Sequence, residues 1–318
     1  MNISLVTPAA KRSRSGNRIT AVRWARLLDA LGHRVRVEER FQPGTHSDLL
    51  VAIHAYRSAS SVAAFREHHP DAPIVVLLAG TDVYRFQHSD PETTHATMAL
   101  ADRLVGLHDD VAADIPERFR SALTVIHQSA QPLAGRRAPA RSCFEVCVVG
   151  HLRAEKDPMR TAEASRRVPA ESRLRVVHLG AAADAGWRAR AEREAATNPR
   201  YRWLGDVPRW KVRDRFARAH AMVISSVMEG GANVVSEALV AGLPVVASDI
   251  PGNRGLLGHD HPAYFPPEDS EALARLLFRA ETEPAFLRAI ARCGAARRRL
   301  FTPAREKAAW KRLINGLR

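Results

Sequence analysis

Two glutamates, Glu229 and Glu237, flank a glycine pair, Gly230 and Gly231, within the stretch SSVMEGGANVVSEALVAGLPVVASDIPG. The pattern reads as a buried strand, a loop through Glu229-Gly230-Gly231, a helix over about 233–241, a stop at Gly242 and Pro244, and a second buried strand. Adjacent glycines ahead of a helix let backbone N–H groups and the positive helix end approach a ligand closely. Amides of that kind suit phosphate or sugar oxygens, and carboxylates accept hydrogen bonds from hydroxyls. A nucleotide diphosphate bearing a sugar fits both demands. A Glu-Gly-Gly alone is also an ordinary helix start, so the surrounding elements decide its meaning.

Those elements alternate. In the first half, strands are expected over 2–6, 35–37, 49–53, 73–78, 104–107 and 123–126, with helices over 18–31, before Glu67 and near 109–119. In the second half, strands are expected over 144–149, 174–179, 201–204, 221–225 and 244–247, with a short one over 263–265. Helices are expected over 158–167, with Asp157 as N-cap, then 184–196, 209–219, 270–280, 284–298 and 303–315. Repeated strand–helix alternation predicts parallel sheets covered on both faces, an α/β class. The segment 128–141 carries Pro132, Gly135 and Pro139 with little apolar content and reads as a linker. Domains are therefore expected over 1–132 and 142–300, with the helix from 303 packing back on the first. Ligands of open α/β sheets bind beyond the strands' carboxyl ends, so one substrate per domain is expected.

Composition narrows the class. The chain has 318 residues, an apolar fraction of 46% and no run long enough to span a bilayer. Three cysteines, Cys143, Cys147 and Cys293, without zinc spacing argue against a disulfide frame or a metal site. The N-terminal run places apolar residues before charges, the wrong order for a signal peptide, and a cytoplasmic protein is expected. The net charge of +14 points to anionic partners. The basic residues are scattered, and no helix-turn-helix, zinc finger or aromatic RNA-binding signature accompanies them, so neither nucleic acid nor a membrane is expected as partner. A nucleic-acid-binding module is the rival from another class, but it leaves the glutamate pair unused.

The second half resembles the family 4 retaining glycosyltransferases, which have the two-domain GT-B fold. The matching runs are WLGDVP, ARAHAMVISSVMEGGANVVSEALVAGLPVVASDIPG and AYFPPEDSEALARLL. The resemblance implies that Glu229 contacts the donor sugar and Glu237 the ribose, with the backbone at Gly230, Gly231 and Ala232 against sugar and phosphates. The helix start at Asn233 and the strand end at Gly150 complete that donor side. A lysine and an arginine clamp the diphosphate in the family. Lys156 matches the lysine, whereas His151 stands at the arginine position, with Arg153 two residues on. The segment from Trp203 to Arg209 would lie near the base. The catalytic group implied is Glu229, Lys156 and Arg153, with His151 as a further donor-side contact. A second departure is Ala79 in Ala79-Gly80-Thr81-Asp82, where family members often carry histidine.

Nearly the whole chain is similar to a distinct branch of family 4, the selenosugar synthases of selenoneine biosynthesis. The runs that carry this are TPA, GNRITAVRWARLLDALGHRV, HAYRSA, LAGTDVY and VGHLRAEKDP. The resemblance implies transfer from UDP-N-acetylglucosamine or UDP-glucose to selenophosphate, with no cofactor. The motif holds no metal-binding Asp-x-Asp, so no metal is expected. Selenophosphate is a strong nucleophile and a small polyanion, so it needs cationic and N–H donors more than a base. Lys11, Arg12, Arg14, Gly16, Asn17 and Arg18 lie on the first strand-to-helix loop, and Arg57, Thr81 and Asp82 follow neighbouring strands. These are the acceptor-side candidates. An ordinary hydroxyl acceptor is the rival within the family. His54, His108, His127 and His178 stand at strand ends and read as satisfied structural histidines. Trp24 and Trp310 read as core.

Overall fold

The computed structural model describes residues 1–317, which form two compact units. Among the described residues the first holds 1–129, 229–232 and 303–317, and the second holds Ala130–Met228 and Asn233–Thr302.

The first unit runs β1 (Asn2–Val6), α1 (Gly16–Asp29), β2 (Arg34–Glu38), β3 (Leu49–Ile53), α2 (Ala59–His68) and β4 (Ile74–Leu77). A π-helical turn over Asp82–Phe86 then leads into α3 (Gln87–Ser89), α4 (Pro91–Leu100) and β5 (Arg103–Gly106). Two 3-10 turns precede β6 (Leu123–Val125). All pairings are parallel, in the order β2-β1-β3-β4-β5-β6, with Ile3 opposite both Val35 and Leu49. Alternation along β3 feeds two cores. Leu49, Val51 and Ile53 join Trp24, Leu28 and Leu77 on one face, while Leu50 and Ala52 join Phe65, Val76 and Leu104 on the other. The edge strand β2, RVRVE, leaves its arginines and Glu38 at least partly exposed, which discourages pairing with another chain.

The second unit runs β7 (Phe144–Val149), α5 (Arg160–Ser165), β8 (Leu174–Leu179), α6 (Ala185–Thr197), β9 (Tyr201–Trp203), α7 (Arg209–Arg218) and β10 (Ala221–Ile224). It continues through α8 (Asn233–Ala241), β11 (Val245–Ser248), α9 (Pro251–Leu257), β12 (Tyr264–Phe265), α10 (Ser270–Thr282) and α11 (Pro284–Arg297). The sheet order is β12-β11-β10-β7-β8-β9, again parallel throughout. Val146, Val148, Val176 and Val223 pack against Met159, Leu273, Leu277 and Phe286. The last helix, α12 (Pro303–Asn315), belongs to the first unit, where Trp310 meets Trp24 edge-on at 4.7 Å and Leu313 and Ile314 are buried.

Three local features depart from the sequence reading. The expected helix over 109–119 is instead two 3-10 turns, Asp109–Asp114 and Glu117–Ala122; Pro116 lies between them and removes a backbone donor. Asp157 is not an N-cap. It adopts a left-handed conformation at φ 41°, its carboxylate takes Arg160 Nε at 2.6 Å, and α5 starts only at Arg160. Three helices, α3, α4 and α9, are absent from the sequence reading. The latter two open on a proline at the first helical turn, and Asp90 caps α4 through Thr93 N–H. The three cysteines are free thiols, with Cys147 fully buried.

Candidate functional site

β10 delivers the glycine loop. Beyond it, Ser225 Oγ donates to the carbonyls of Asp157 (2.9 Å) and Lys156 (3.2 Å), and Val227 N–H donates to Glu155 O (3.0 Å). The turn carrying Lys156 is thereby tied to the strand end that precedes Glu229. Arg153 projects from the same turn, about half exposed, with Nε 4.0 Å from Glu155.

The neighbouring strand ends are fixed as firmly. A Cβ on Gly180 would fall 3.0 Å from His151 N and closer still to Gly150 O, so only glycine allows the loops after β7 and β8 to meet. Ala181 N–H donates to His151 Nδ1 at 3.1 Å. The neutral ring therefore carries its proton on Nε2 and can donate one hydrogen bond. His178 holds the Gly150 carbonyl through Nε2 (3.1 Å) and meets the Tyr201 hydroxyl through Nδ1 (3.1 Å). It is a satisfied structural histidine that steadies the Gly150 turn, and burial pushes it down to about 4.

That shift makes a prediction. A histidine held neutral in the fold but free to protonate near 6.5 when unfolded stabilises the protein fully above pH 6.5, and its contribution is lost as pH falls towards 4. Between pH 7 and pH 5 the loss is about 2 kcal/mol. Urea denaturation of the second unit's transition at the two pH values should show a loss larger by about that amount in the wild type than in His178→Asn, since His220 and His261, both pushed down by burial, titrate in both proteins. An equal pH dependence in both proteins would remove the assignment.

Glu237 lies on the first turns of α8 and accepts a hydrogen bond from Arg209 Nη2 at 2.8 Å. The Trp203–Arg209 segment thus reaches the second glutamate. Trp203 Nε1 is anchored on Gly180 O at 2.9 Å. Asn233 opens α8.

Within the first unit, Glu229, Gly230, Gly231 and Ala232 pack against the ends of β4 and β5. A Cβ on Gly230 would stand 2.6 Å from Gly80 Cα, and one on Gly80 would stand 2.9 Å from the Glu229 carbonyl carbon. Gly231 adopts φ 123° above Leu107, a conformation that glycine alone takes cheaply. Gln128 Nε2 donates to Gly231 O at 3.1 Å, while its Oε1 accepts from Thr20 at 2.7 Å and from Arg23. Glu229 itself is buried, with 8% of its surface exposed. Gln128 escaped the sequence reading because it sits in a linker-like run with no motif around it.

The first-loop residues are arranged around the start of α1. Ser15 caps the helix through Arg18 N–H, Gly16 and Asn17 form its first turn, and Lys11, Arg12 and Arg14 are exposed. Arg18 Nε is buried without a hydrogen-bond partner, a donor that an anion would satisfy. Arg57 is exposed and Thr81 half-buried. Asp82, in contrast, is enclosed. It accepts N–H groups from Ala55 (2.9 Å), Tyr56 (2.9 Å) and Ala79 (2.8 Å) and lies 2.7 Å from His54 Nδ1. Its role is to hold the turn, since no face of the carboxylate is open to an acceptor. Among the described residues no group of three or more His, Cys, Asp or Glu is placed to hold a metal, and no helix is long and apolar enough to cross a membrane.

Residues 141–298 match the family model described as Glycosyl transferases group 1. The matched stretch is just under half of the chain. It contains the Lys156 turn, the glycine loop and α8 together. A 79-residue part of the chain is 37% identical to the putative teichuronic acid biosynthesis glycosyltransferase TuaC of Bacillus subtilis, covering 25% of this chain and only a fifth of that protein's length. Likeness among solved structures spans both units. A sucrose-phosphate synthase from Thermosynechococcus elongatus matches with a TM-score of 0.82 at 16% identity, covering 100% of this chain and 99% of that one. Anabaena HepE in complex with UDP matches at 0.79 and 15% identity, covering 99% and 100%. At such identities the likeness is one of fold, and the fold is GT-B.

Proposed function

We propose that this protein is a selenosugar synthase: it transfers the sugar of UDP-N-acetylglucosamine or UDP-glucose to selenophosphate, forming a carbon–selenium bond. The observation that carries the transferase part is the group 1 match over 141–298 with its glycine loop built tightly enough to exclude any side chain at Gly230. HepE, of the same fold, binds UDP and UDP-glucose, which supports a uridine nucleotide donor here. Glu229 meets the sugar hydroxyls and Glu237 the ribose. Lys156, Arg153 and the loop amides stabilise charge as UDP departs, and His151 adds one neutral N–H donor. The acceptor reading rests on the similarity of nearly the whole chain to the selenosugar branch. It is supported by the basic first loop and by the buried, unpartnered Nε of Arg18, which an anion would satisfy.

The test is a product assay. Incubation with either UDP-sugar and selenophosphate, followed by mass spectrometry, should yield UDP and a selenium-bearing sugar. UDP release only in the presence of a hydroxyl acceptor would replace selenophosphate in this scheme. Salt-sensitive nucleic-acid binding without UDP release would overturn it altogether.

A further inference from the structure

We propose that Asp157 positions Lys156 for the donor diphosphate, and does so through its backbone; the inference rests on the donor-side reading above. Asp157 takes φ 41° and ψ 58°. Only three non-glycine residues among those described have a positive φ, and such a conformation persists where the surroundings hold it. Asp157 directly follows the 3-10 turn Ala154–Lys156, and its N–H donates to Ala154 O at 3.1 Å. A left-handed residue ends a helical turn. Pro158 disfavours a right-handed helical backbone at 157, so the competing conformation is an extended one.

Contacts within the second unit select the left-handed form. Ser225 is 2% exposed at the end of β10. Its hydroxyl donates to Asp157 O at 2.9 Å and to Lys156 O at 3.2 Å. These carbonyls stand on either side of the Asp157 Cα, and their mutual orientation depends on the φ and ψ of Asp157 alone. An extended residue would turn one of them away from the hydroxyl. From α5, Arg160 N–H donates to Asp157 O at 3.2 Å. The Arg160 guanidinium meets both carboxylate oxygens, Nε at 2.6 Å and Nη2 at 3.4 Å. Its Nη1 donates to Ser270 Oγ at 2.9 Å at the start of α10, and Ser270 donates in turn to Glu163 at 3.1 Å.

Two jobs are thereby divided. The carboxylate braces the turn against α5 and α10, and the backbone fixes the direction in which Lys156 leaves it. Lysine is a long side chain with much rotamer freedom to lose. Fixing its root ahead of binding reduces what a diphosphate must order. Asp157 touches no substrate under this reading and acts only through Lys156.

The experiment measures UDP affinity by calorimetry and urea midpoints for wild type, Asp157→Val, Asp157→Gly and Ser225→Ala, with Asp157→Val also made in a Lys156→Met background. Valine is poorly tolerated at positive φ, and Asp157→Val should weaken UDP binding about tenfold. Glycine takes the conformation cheaply, so Asp157→Gly should recover most of the affinity although it lacks the carboxylate. Ser225→Ala should weaken binding in the same direction, and it carries the comparison if Asp157→Val does not fold. In the Lys156→Met background the loss from Asp157→Val should largely vanish, which a role in stability alone would not produce. Wild-type affinity in Asp157→Val, or in Ser225→Ala where the valine variant does not fold, overturns the positioning alone. So does an undiminished loss in the Lys156→Met background, or an Asp157→Gly protein as weak as Asp157→Val. A wild type that binds no UDP, or a Lys156→Met protein that binds it as tightly as wild type, overturns the donor-side reading and the positioning with it.

Discussion

Replacing Glu229 with glutamine should lower turnover by 10²–10³-fold, as roughly 3–4 kcal/mol of transition-state stabilisation is lost. The substitution preserves volume and one acceptor oxygen, so the effect isolates the charge. Glu229 is only 8% exposed, and its carbonyl end is pinned where Gly230 meets Gly80. Under the proposed function, a buried carboxylate at that point would accept charge-assisted hydrogen bonds from sugar hydroxyls, worth about 1.5–3 kcal/mol. It would also stabilise the positive charge that develops as a glycosidic bond breaks. Steady-state rates of UDP release supply the first measurement and UDP affinity by calorimetry the second. The expected pattern is a fall in kcat with UDP binding unchanged, because the proposed contact is with the sugar. A variant that turns over near the wild-type rate would remove Glu229 from the reacting centre.

Much of the framework was legible because parallel strands buried on both faces are short, continuous apolar runs. LLVAI at β3 and AMVI at β10 are such runs, too short for helices of ordinary length, and Gly242 with Pro244 marks the end of α8. The glycine loop was legible for a related reason: its glycines are demanded by backbone contact, and a spacing that permits such contact is visible in one dimension. Contacts chosen by the tertiary structure were not. Asp157 before Pro158 has the local chemistry of an N-cap, but Arg160 binds its carboxylate and the turn that presents Lys156 holds it left-handed. Asp82 looked like a ligand-binding residue because it follows a strand. Its three N–H donors come from two separate segments, and only folding brings them together. His54 was indistinguishable from the other strand-end histidines until its left-handed backbone, φ 79°, and its contacts with Thr81, Asp82 and the Arg57 N–H were known. His178, of the same residue type at an equivalent strand end, proved to be a brace for Gly150.

Replacing Glu306 with alanine should destabilise the first unit by about 3–5 kcal/mol, the largest stability effect expected of any single side chain discussed. Glu306 is 1% exposed on α12. Its Oε1 accepts Trp24 Nε1–H at 2.8 Å and Arg23 Nε at 3.2 Å, and its Oε2 accepts Ser129 N–H at 2.8 Å together with the Ser129 hydroxyl. Removing the carboxylate strands four donors, one of them cationic, and each buried donor left unmet costs about 1–3 kcal/mol. It also loosens the seat of Trp310 on Trp24, which helps to hold α12 in place. Glu306→Gln keeps the shape and one acceptor oxygen, so its loss should fall between alanine and wild type. Because Arg23 also bonds Gln128, which holds the Gly231 carbonyl, the glycine loop should loosen with the helix. Urea denaturation followed by tryptophan fluorescence reads the first effect, since Trp24 and Trp310 lie in that unit's core. Hydrogen exchange at Gly231 and Ala232 reads the second. A midpoint within experimental error of wild type for Glu306→Ala would mean that α12 is held by its apolar face, Trp310, Leu313 and Ile314, without help from the buried carboxylate.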